Sequence, residues 1–276
     1  METTSLKTQM TTFVIVTYSV SWLLFFIGHQ ANLLPVILLG IWAPTLTSIA
    51  LNRYYFGAAG LKALFARFKR TNVKWYYWVL LLFLPAAIHY TGHALWQLYY
   101  YGELSSIVTP PQYWLSAIIP SFIIAGFGEE LGWRGFMLPR LQCVFSPVKA
   151  TLILAAVHML WHLPTYWLGE GMHNVPLIFI LAFLFPWTIL FVWLYNKSGG
   201  SLIFAVSFHA ISNASLSIVR FMPSDAEVPI VPELITQTSL PTQLAGPYLA
   251  VCAVYALVAL LILWKGKFNQ VNTDVP

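Results

Sequence analysis

The sequence predicts an all-α, polytopic membrane protein with about eight transmembrane helices. Its 276 residues are 59% hydrophobic and only 8% charged, whereas a soluble domain carries about 25% charged residues. Apolar stretches near the length of about 20 residues that a helix needs to cross a bilayer recur along the whole chain. Because no soluble domain and no internal repeat interrupts these stretches, we expect a single integral membrane domain over residues 1–276.

The apolar stretches divide into eight spans. Lys7 precedes the first stretch and no small-residue cleavage site follows it, so we expect a retained span rather than a signal peptide. Polar or basic segments separate this stretch from the others along the chain. The predicted spans, in order, are 12–30, 33–52, 75–98, 113–137, 148–168, 175–196, 201–221 and 245–264.

The distribution of charge supports this count and gives an orientation. With the N-terminus in the cytoplasm, the basic residues collect on the cytoplasmic side, as the positive-inside rule requires. Of the 14 basic residues, only Arg220 falls elsewhere, and seven or nine spans would mix the two sides. We therefore expect a multi-pass protein of the cell membrane with both termini in the cytoplasm. The net charge of +5 then reflects topology and does not predict binding of nucleic acid.

Two polar segments are expected to lie outside the bilayer. Residues 57–70, "GAAGLKALFARFKR", place large apolar side chains at helical spacing among basic residues. This pattern fits an amphipathic helix on anionic lipid, and it fits a plain basic loop equally well. Residues 222–244 are rich in Pro, Ser and Thr and predict an outer loop. The two cysteines, Cys143 and Cys252, lie in separate apolar segments and indicate no disulfide framework.

A few polar side chains remain inside the predicted spans. An ionisable residue within a membrane is costly, and it is therefore a candidate functional residue by default. These side chains lie in three spans: Glu129, Glu130 and Arg134 in the fourth, His158 and His162 in the fifth, and His209 and Asn213 in the seventh.

Helical spacing predicts different roles for the two adjacent carboxylates, Glu129 and Glu130. Glu130 and Arg134 are four residues apart on one helix face, in the order that favours an ion pair. Glu129 is turned about 100° away from that face, so it has no partner on its own helix and must face another polar group. We expect the three spans to converge on a compact site that is open to water from one side.

Three kinds of chemistry fit this set of side chains. A carboxylate and an imidazole that share a water can make it a nucleophile, while an imidazole and an amide can stabilise an oxyanion; together they could hydrolyse a peptide bond. Glu129, His162 and His209 could instead hold zinc. Polar side chains can also serve only to link transmembrane helices by hydrogen bonds. A transporter is disfavoured because the chain shows no inverted repeat.

The same residues carry a resemblance to a known family. "EELGWR" fits an E-E-x-x-x-R motif, "HMLWHLP" fits a motif with an aromatic residue ahead of His-Leu-Pro, and "FHAISN" fits H-x-x-x-N. In this order the motifs resemble those of the CPBP family, which contains intramembrane CAAX-processing endopeptidases of the Ras-converting type and bacterial proteins that process bacteriocins or confer immunity to them. The resemblance covers about residues 114–215, the expected catalytic core.

The resemblance implies a glutamate-dependent, metal-free endopeptidase with an eight-helix fold. Carried over to this chain, it assigns activation of water to Glu129 and His162, the oxyanion to His209 and Asn213, and structural support to Glu130 and Arg134. His158 stands where the family motif has an aromatic residue. It is either a simple replacement, which is the interpretation we favour, or a third imidazole that reopens the question of a metal.

The resemblance also bears on cofactors and partners. It implies no cofactor, and it leaves zinc on Glu129, His162 and His209 as the alternative. The expected partner is a membrane-associated or lipid-modified peptide or protein. A non-enzymatic membrane protein that confers immunity by binding a peptide remains the other functional alternative.

Overall fold

The computed structural model describes residues 5–104, 108–168, 177–219, 242–265 and 268. Within these residues the chain forms helices and no strand, apart from a single bridge between Val108 and Val219. The helices are α1 (Leu6–Gln30), α2 (Leu34–Ile41), α3 (Ala43–Ala66), α4 (Trp75–Tyr100), α5 (Trp114–Ser121), α6 (Phe127–Gly132), α7 (Leu138–Val144), α8 (Pro147–Trp167), α9 (Leu177–Lys197), α10 (Leu202–Ile218) and α11 (Thr242–Trp264).

The prediction of an all-α polytopic membrane protein is confirmed. Among the described residues, five helical stretches are long and apolar enough to cross a membrane, and the bent pair of α2 and α3 makes a sixth. Each of the eight predicted spans corresponds to a helix, but α8 and α10 fall outside this count. Helix α10 has only 17 residues, and α8 carries two histidines that lower its apolar character. The full number of eight spans therefore stays a prediction.

The predicted outer loop and the charged residues next to it lie mostly outside the described part of the chain. This holds for Arg220 and for almost all of residues 222–244. The first residues of the sixth predicted span, before Leu177, are also not described.

The basic segment at residues 57–70 is helical, as one of its two interpretations predicted. Gly57 interrupts α3 with a φ of 62°, a left-handed conformation that glycine adopts without strain. The helix continues beyond it into a short 3-10 turn at Arg67–Lys69. Arg67, one of the basic residues of this segment, is buried within the protein, which the sequence did not predict. Its guanidinium donates to the carbonyl oxygens of Arg134 and Gly135 at 3.1 and 2.7 Å.

The fourth predicted span forms a continuous helical rod from Pro111 to Val144. Two π-helical segments, Phe122–Gly126 and Trp133–Met137, lie on either side of α6. Such wide turns occur frequently at functional sites because they re-aim side chains and leave carbonyl groups for outside donors. Arg67 supplies donors to the second of these segments.

Two glycines let neighbouring helices approach α6 closely. A Cβ on Gly132 would lie 2.6 Å from the Cβ of Pro44, at the start of α3, and a Cβ on Gly126 would lie 2.8 Å from the backbone oxygen of Val206 in α10. Small residues at such points bring transmembrane helices into direct backbone contact. Helix α6 is thereby held between α3 and α10.

Helix α8 is fixed by side chains of α1. Tyr18 donates to the carbonyl oxygen of Val157, and Trp22 Nε1 donates to that of Trp161 at 3.1 Å. Trp161 Nε1 in turn donates to Ser21 Oγ at 2.7 Å. Because Tyr18, Ser21 and Trp22 share one face of α1, this face holds α8 by three hydrogen bonds.

Candidate active site

Glu130 and Arg134 form the predicted ion pair on α6 and the π segment that follows it. Arg134 Nη1 donates to Glu130 Oε1 at 2.8 Å, and both side chains are fully buried. The guanidinium also lies over the ring of Phe191, 3.8 Å from its centre, a favourable cation–π contact. The order and spacing predicted from the sequence are confirmed.

His209 joins this pair from α10. Its Nδ1 lies 2.6 Å from the same Glu130 oxygen. An ionised Glu130 accepts from Nδ1–H and so leaves Nε2 of His209 for another partner. Glu130 therefore links α6 to α10, a contact that the sequence interpretation did not assign to it.

Glu129 faces α8, away from Arg134. Its Oε2 lies 2.8 Å from His158 Nε2, and the two side chains are almost completely buried. The interpretation of His158 as a simple replacement for an aromatic residue gave it no polar role, and the structure corrects this. The prediction that Glu129 must face a polar group on another helix is confirmed.

His162 lies one turn further along α8. Its ring centre is 5.2 Å from that of His158, and one ligand atom each from Glu129, His158 and His162 lies within 4.8 Å of the others. His162 is half-buried, which makes it more accessible than His158. The carboxylate and the imidazole predicted to activate water are thus close neighbours.

Asn213 lies one turn beyond His209 on the same face of α10. It is half-buried, and among the described residues no hydrogen bond engages its amide. The ring of His209 itself lies 6.2 Å from that of His158. The predicted convergence of α6, α8 and α10 on one site is therefore present in the fold.

Three tryptophans surround His158, and the sequence interpretation did not single them out. The ring centres of Trp133, Trp161 and Trp187 lie 5.0, 6.0 and 6.3 Å from the imidazole. Trp133 and Trp161 are part of the quoted motifs, where they directly precede Arg134 and His162. Their place beside polar site residues could therefore have indicated from the sequence that they line the site. These rings exclude water from one side of the imidazole.

The donor set bears on the possibility of a metal. A carboxylate with two imidazoles is the ligand set of several catalytic zinc sites. The trio that the structure brings together is Glu129, His158 and His162, whereas the sequence interpretation proposed His209 as the third ligand. His209 Nδ1 is engaged by Glu130 instead.

Comparison with known proteins finds similarity in the segment that holds these side chains. Residues 111–215 match the model of the family described as type II CAAX prenyl endopeptidase Rce1-like. A curated relative, CAAX prenyl protease 2 of Methanococcus maripaludis, is 29% identical over 104 residues. The match covers 35% of this chain and 38% of the relative, so it spans well under two thirds of that protein's length. The resemblance drawn from the motifs is confirmed over this segment.

Proposed function

We propose that this protein is an intramembrane endopeptidase that hydrolyses a peptide bond with water activated by Glu129. The observation that supports the proposal most is the placement of Glu129. It is a buried carboxylate on an apolar helix, it makes no ion pair with Arg134, and it lies among imidazoles. A buried, functionless carboxylate would be costly to keep there. The similarity of residues 111–215 to CAAX endopeptidases agrees with this reaction class.

The proposed reaction needs no covalent intermediate. Glu129, assisted by His162, takes a proton from water, and the remaining hydroxide forms a bond to the carbonyl carbon of the substrate. The negative charge that develops on the carbonyl oxygen is stabilised by the amide of Asn213 and by Nε2–H of His209, whose ring carries a proton on both nitrogens in this step, so that Nδ1–H still donates to Glu130. Collapse of this intermediate breaks the carbon–nitrogen bond, and the proton held by Glu129 passes to the leaving nitrogen. The products are a carboxylic acid and an amine.

Glu130 and Arg134 support this chemistry from outside it. Glu130 accepts from both Arg134 Nη1 and His209 Nδ1. This contact fixes the ring of His209, so that Nε2–H of the doubly protonated ring already points towards the oxyanion, and such a preset donor is the condition for effective oxyanion stabilisation. Arg134 places its positive charge beside this carboxylate, so the bond from its guanidinium is charge-assisted.

The proposed substrate is a membrane-associated or lipid-modified peptide or protein. The printed names of the family and of the relative refer to prenylated CAAX sequences, so a prenylated CAAX tail is the first substrate to test. A site within the bilayer suits such a tail because the lipid anchor already places the peptide at the membrane. We place the protein in the cell membrane with both termini in the cytoplasm, as the charge distribution suggests.

A metal-dependent version of the same hydrolase is the second candidate. The observation that favours it is the close approach of Glu129, His158 and His162. Zinc held there would supply an activated water directly. Metal analysis of the purified protein distinguishes the two: a stoichiometric zinc content that Glu129→Gln and His162→Ala abolish supports the metal-dependent version. Full activity after chelation, with no bound metal, supports the metal-free one.

The decisive experiment compares the wild-type protein with Glu129→Gln. Membranes of cells that make either form are searched by mass spectrometry for new peptide C-termini, and the purified proteins are assayed in proteoliposomes with a farnesylated CAAX peptide that carries a fluorophore and a quencher. We expect the substitution to abolish the new termini and to lower kcat by about a thousandfold or more, the scale of loss for an essential catalytic group. The exposed Glu103→Gln is the matched control.

The result also separates the enzyme from a non-enzymatic immunity or peptide-binding protein. If both cell lines show the same termini while a wild-type phenotype survives Glu129→Gln, the peptidase proposal is wrong and the binding role takes its place.

A further inference from the structure

We infer that His158 is a positioning residue for Glu129: it holds one oxygen of the carboxylate, so that the other oxygen faces the water. This inference rests on the proposed hydrolysis. It assigns a role to a side chain that the motif comparison left without one, and it divides the two imidazoles of α8 between different tasks.

The first observation is the contact itself. His158 Nε2 lies 2.8 Å from Glu129 Oε2, and an ionised carboxylate accepts, so Nε2–H donates. Rotation about the last torsion of a glutamate is broadly permitted, which means that an unheld carboxylate presents no fixed oxygen to a reactant. The hydrogen bond removes this freedom and leaves Oε1 as the oxygen that accepts a proton from water.

The second observation is the other nitrogen of the same ring. His158 Nδ1 is buried and has no hydrogen-bond partner within the described part of the chain. It lies among the rings of Trp133, Trp161 and Trp187. An unpaired buried nitrogen costs free energy, whereas a phenylalanine would fill the same aromatic cage without that cost. Packing alone therefore does not explain a histidine here, and the single polar contact to Glu129 does.

The third observation is the difference between His158 and His162. His158 is 1% exposed, while His162, one turn away on the same helix, is half-buried. The geometry thus suits His158 to holding Glu129 from behind and His162 to contacting the water.

The fourth observation is the support of His158 from α1. The residues on either side of it along the helix, Val157 and Trp161, both accept hydrogen bonds at their carbonyl oxygens from α1 side chains. Trp161 is further held through Ser21, whose hydroxyl donates to the carbonyl oxygen of Gly40 at 2.9 Å. A residue that positions another must itself be locked by its surroundings, and His158 meets this requirement.

The test compares His158→Gln and His158→Phe in proteoliposomes with the farnesylated CAAX peptide. Phenylalanine fits the aromatic cage but cannot donate a hydrogen bond. We therefore expect kcat to fall about 10–100-fold, the usual loss when a residue that orients a directly acting side chain is removed, and KM to change little. Glutamine places an amide N–H near the position of Nε2–H, and we expect it to recover most of the lost kcat. His93→Phe, the same exchange at another buried histidine outside the site, should leave kcat near the wild-type value.

Three results would overturn the inference. A wild-type kcat in His158→Phe would mean that the ring serves packing only. Equal impairment of both variants with preserved thermal unfolding would show that a donor at this position is not what matters. Loss of stoichiometric zinc from both variants would make His158 a metal ligand instead. Failure of the proposed function is recognised separately, because it would appear as full activity in Glu129→Gln whatever the behaviour of the His158 variants.

Discussion

Adjacent carboxylates on α6 have different neighbours, and this difference defines their chemistry. Glu130 is tied to Arg134 and His209 through one oxygen, while Glu129 contacts the imidazole of His158. A turn of about 100° between consecutive helical residues is enough to send the two side chains to different helices. One carboxylate therefore stabilises the fold, and the other stays available for proton transfer in the proposed reaction.

The different contacts of Glu129 and Glu130 predict different stabilities for their glutamine variants. Glu130→Gln leaves the guanidinium of Arg134 buried without its counter-ion, and we expect it to lower the free energy of unfolding by about 3–5 kcal/mol. Glu129→Gln leaves the Arg134 pair intact and should unfold like the wild-type protein. Thermal and denaturant unfolding in detergent measures both. Equal stability of the two variants would contradict the assigned difference.

Sequence spacing predicted some residue contacts and not others, for a physical reason. The Glu130–Arg134 pair follows from four-residue spacing within one helix, so it needed no knowledge of the fold. The contact of His158 with Glu129 depends on how far α8 is shifted relative to α6. Helix α8 is held in place by tertiary contacts, among them hydrogen bonds from α1, which is more than a hundred residues away in sequence, and no local pattern reports such contacts.

At the scale of the elements, the functional helix is a rod with two wide turns. The π segments bracket α6, and the carbonyl groups of the second one accept from Arg67 and from Tyr195. The helical nature of the Arg67 region was predictable from its periodicity, but its burial was not, because the acceptors exist only where the neighbouring helix departs from regular α geometry.

The close packing of α6 on α3 predicts that a larger residue at position 132 destabilises the protein. Gly132→Ala places a Cβ 2.6–2.7 Å from Pro44 side-chain and backbone atoms, so the two helices must separate. We expect about 1–3 kcal/mol of destabilisation and a reduced kcat, because Glu129 and Glu130 move with the helix. Unfolding and peptide cleavage measure these effects.

Gly135→Ala is the matched control for this packing. Its nearest contact is 3.1 Å to the flexible end of Leu64, which can move aside. We therefore expect a clearly smaller loss of stability than in Gly132→Ala. The same loss in both variants would mean that the α3–α6 contact is not the limiting one.

At the scale of the whole molecule, the apolar exterior surrounds a small polar centre. Leu, Ile, Phe and Tyr side chains on most helices are exposed to the outside, as expected for surfaces in contact with lipid. Composition alone predicted this arrangement. The number of crossings is harder to predict because α10 has only 17 residues and α8 carries two histidines that lower its apolar character.

The orientation in the membrane is tested by the accessibility of cysteines. Cys143 is exposed at the end of α7, on the side predicted to be cytoplasmic, and Glu103 is exposed beyond α4 on the opposite side. In intact cells, an impermeant maleimide should label Glu103→Cys and leave Cys143 unmodified until the membrane is opened. The reverse pattern would place both termini outside the cell.

The hydrogen bonds from α1 to α8 have a consequence for protein engineering. Tyr18, Ser21 and Trp22 lie outside residues 111–215, the segment that matches the family model. A chimera that transplants only that segment into a foreign scaffold would carry every motif. It would still lack the α1 side chains whose hydrogen bonds hold α8, the helix of His158 and His162. A working graft of this centre must bring the first helix with it.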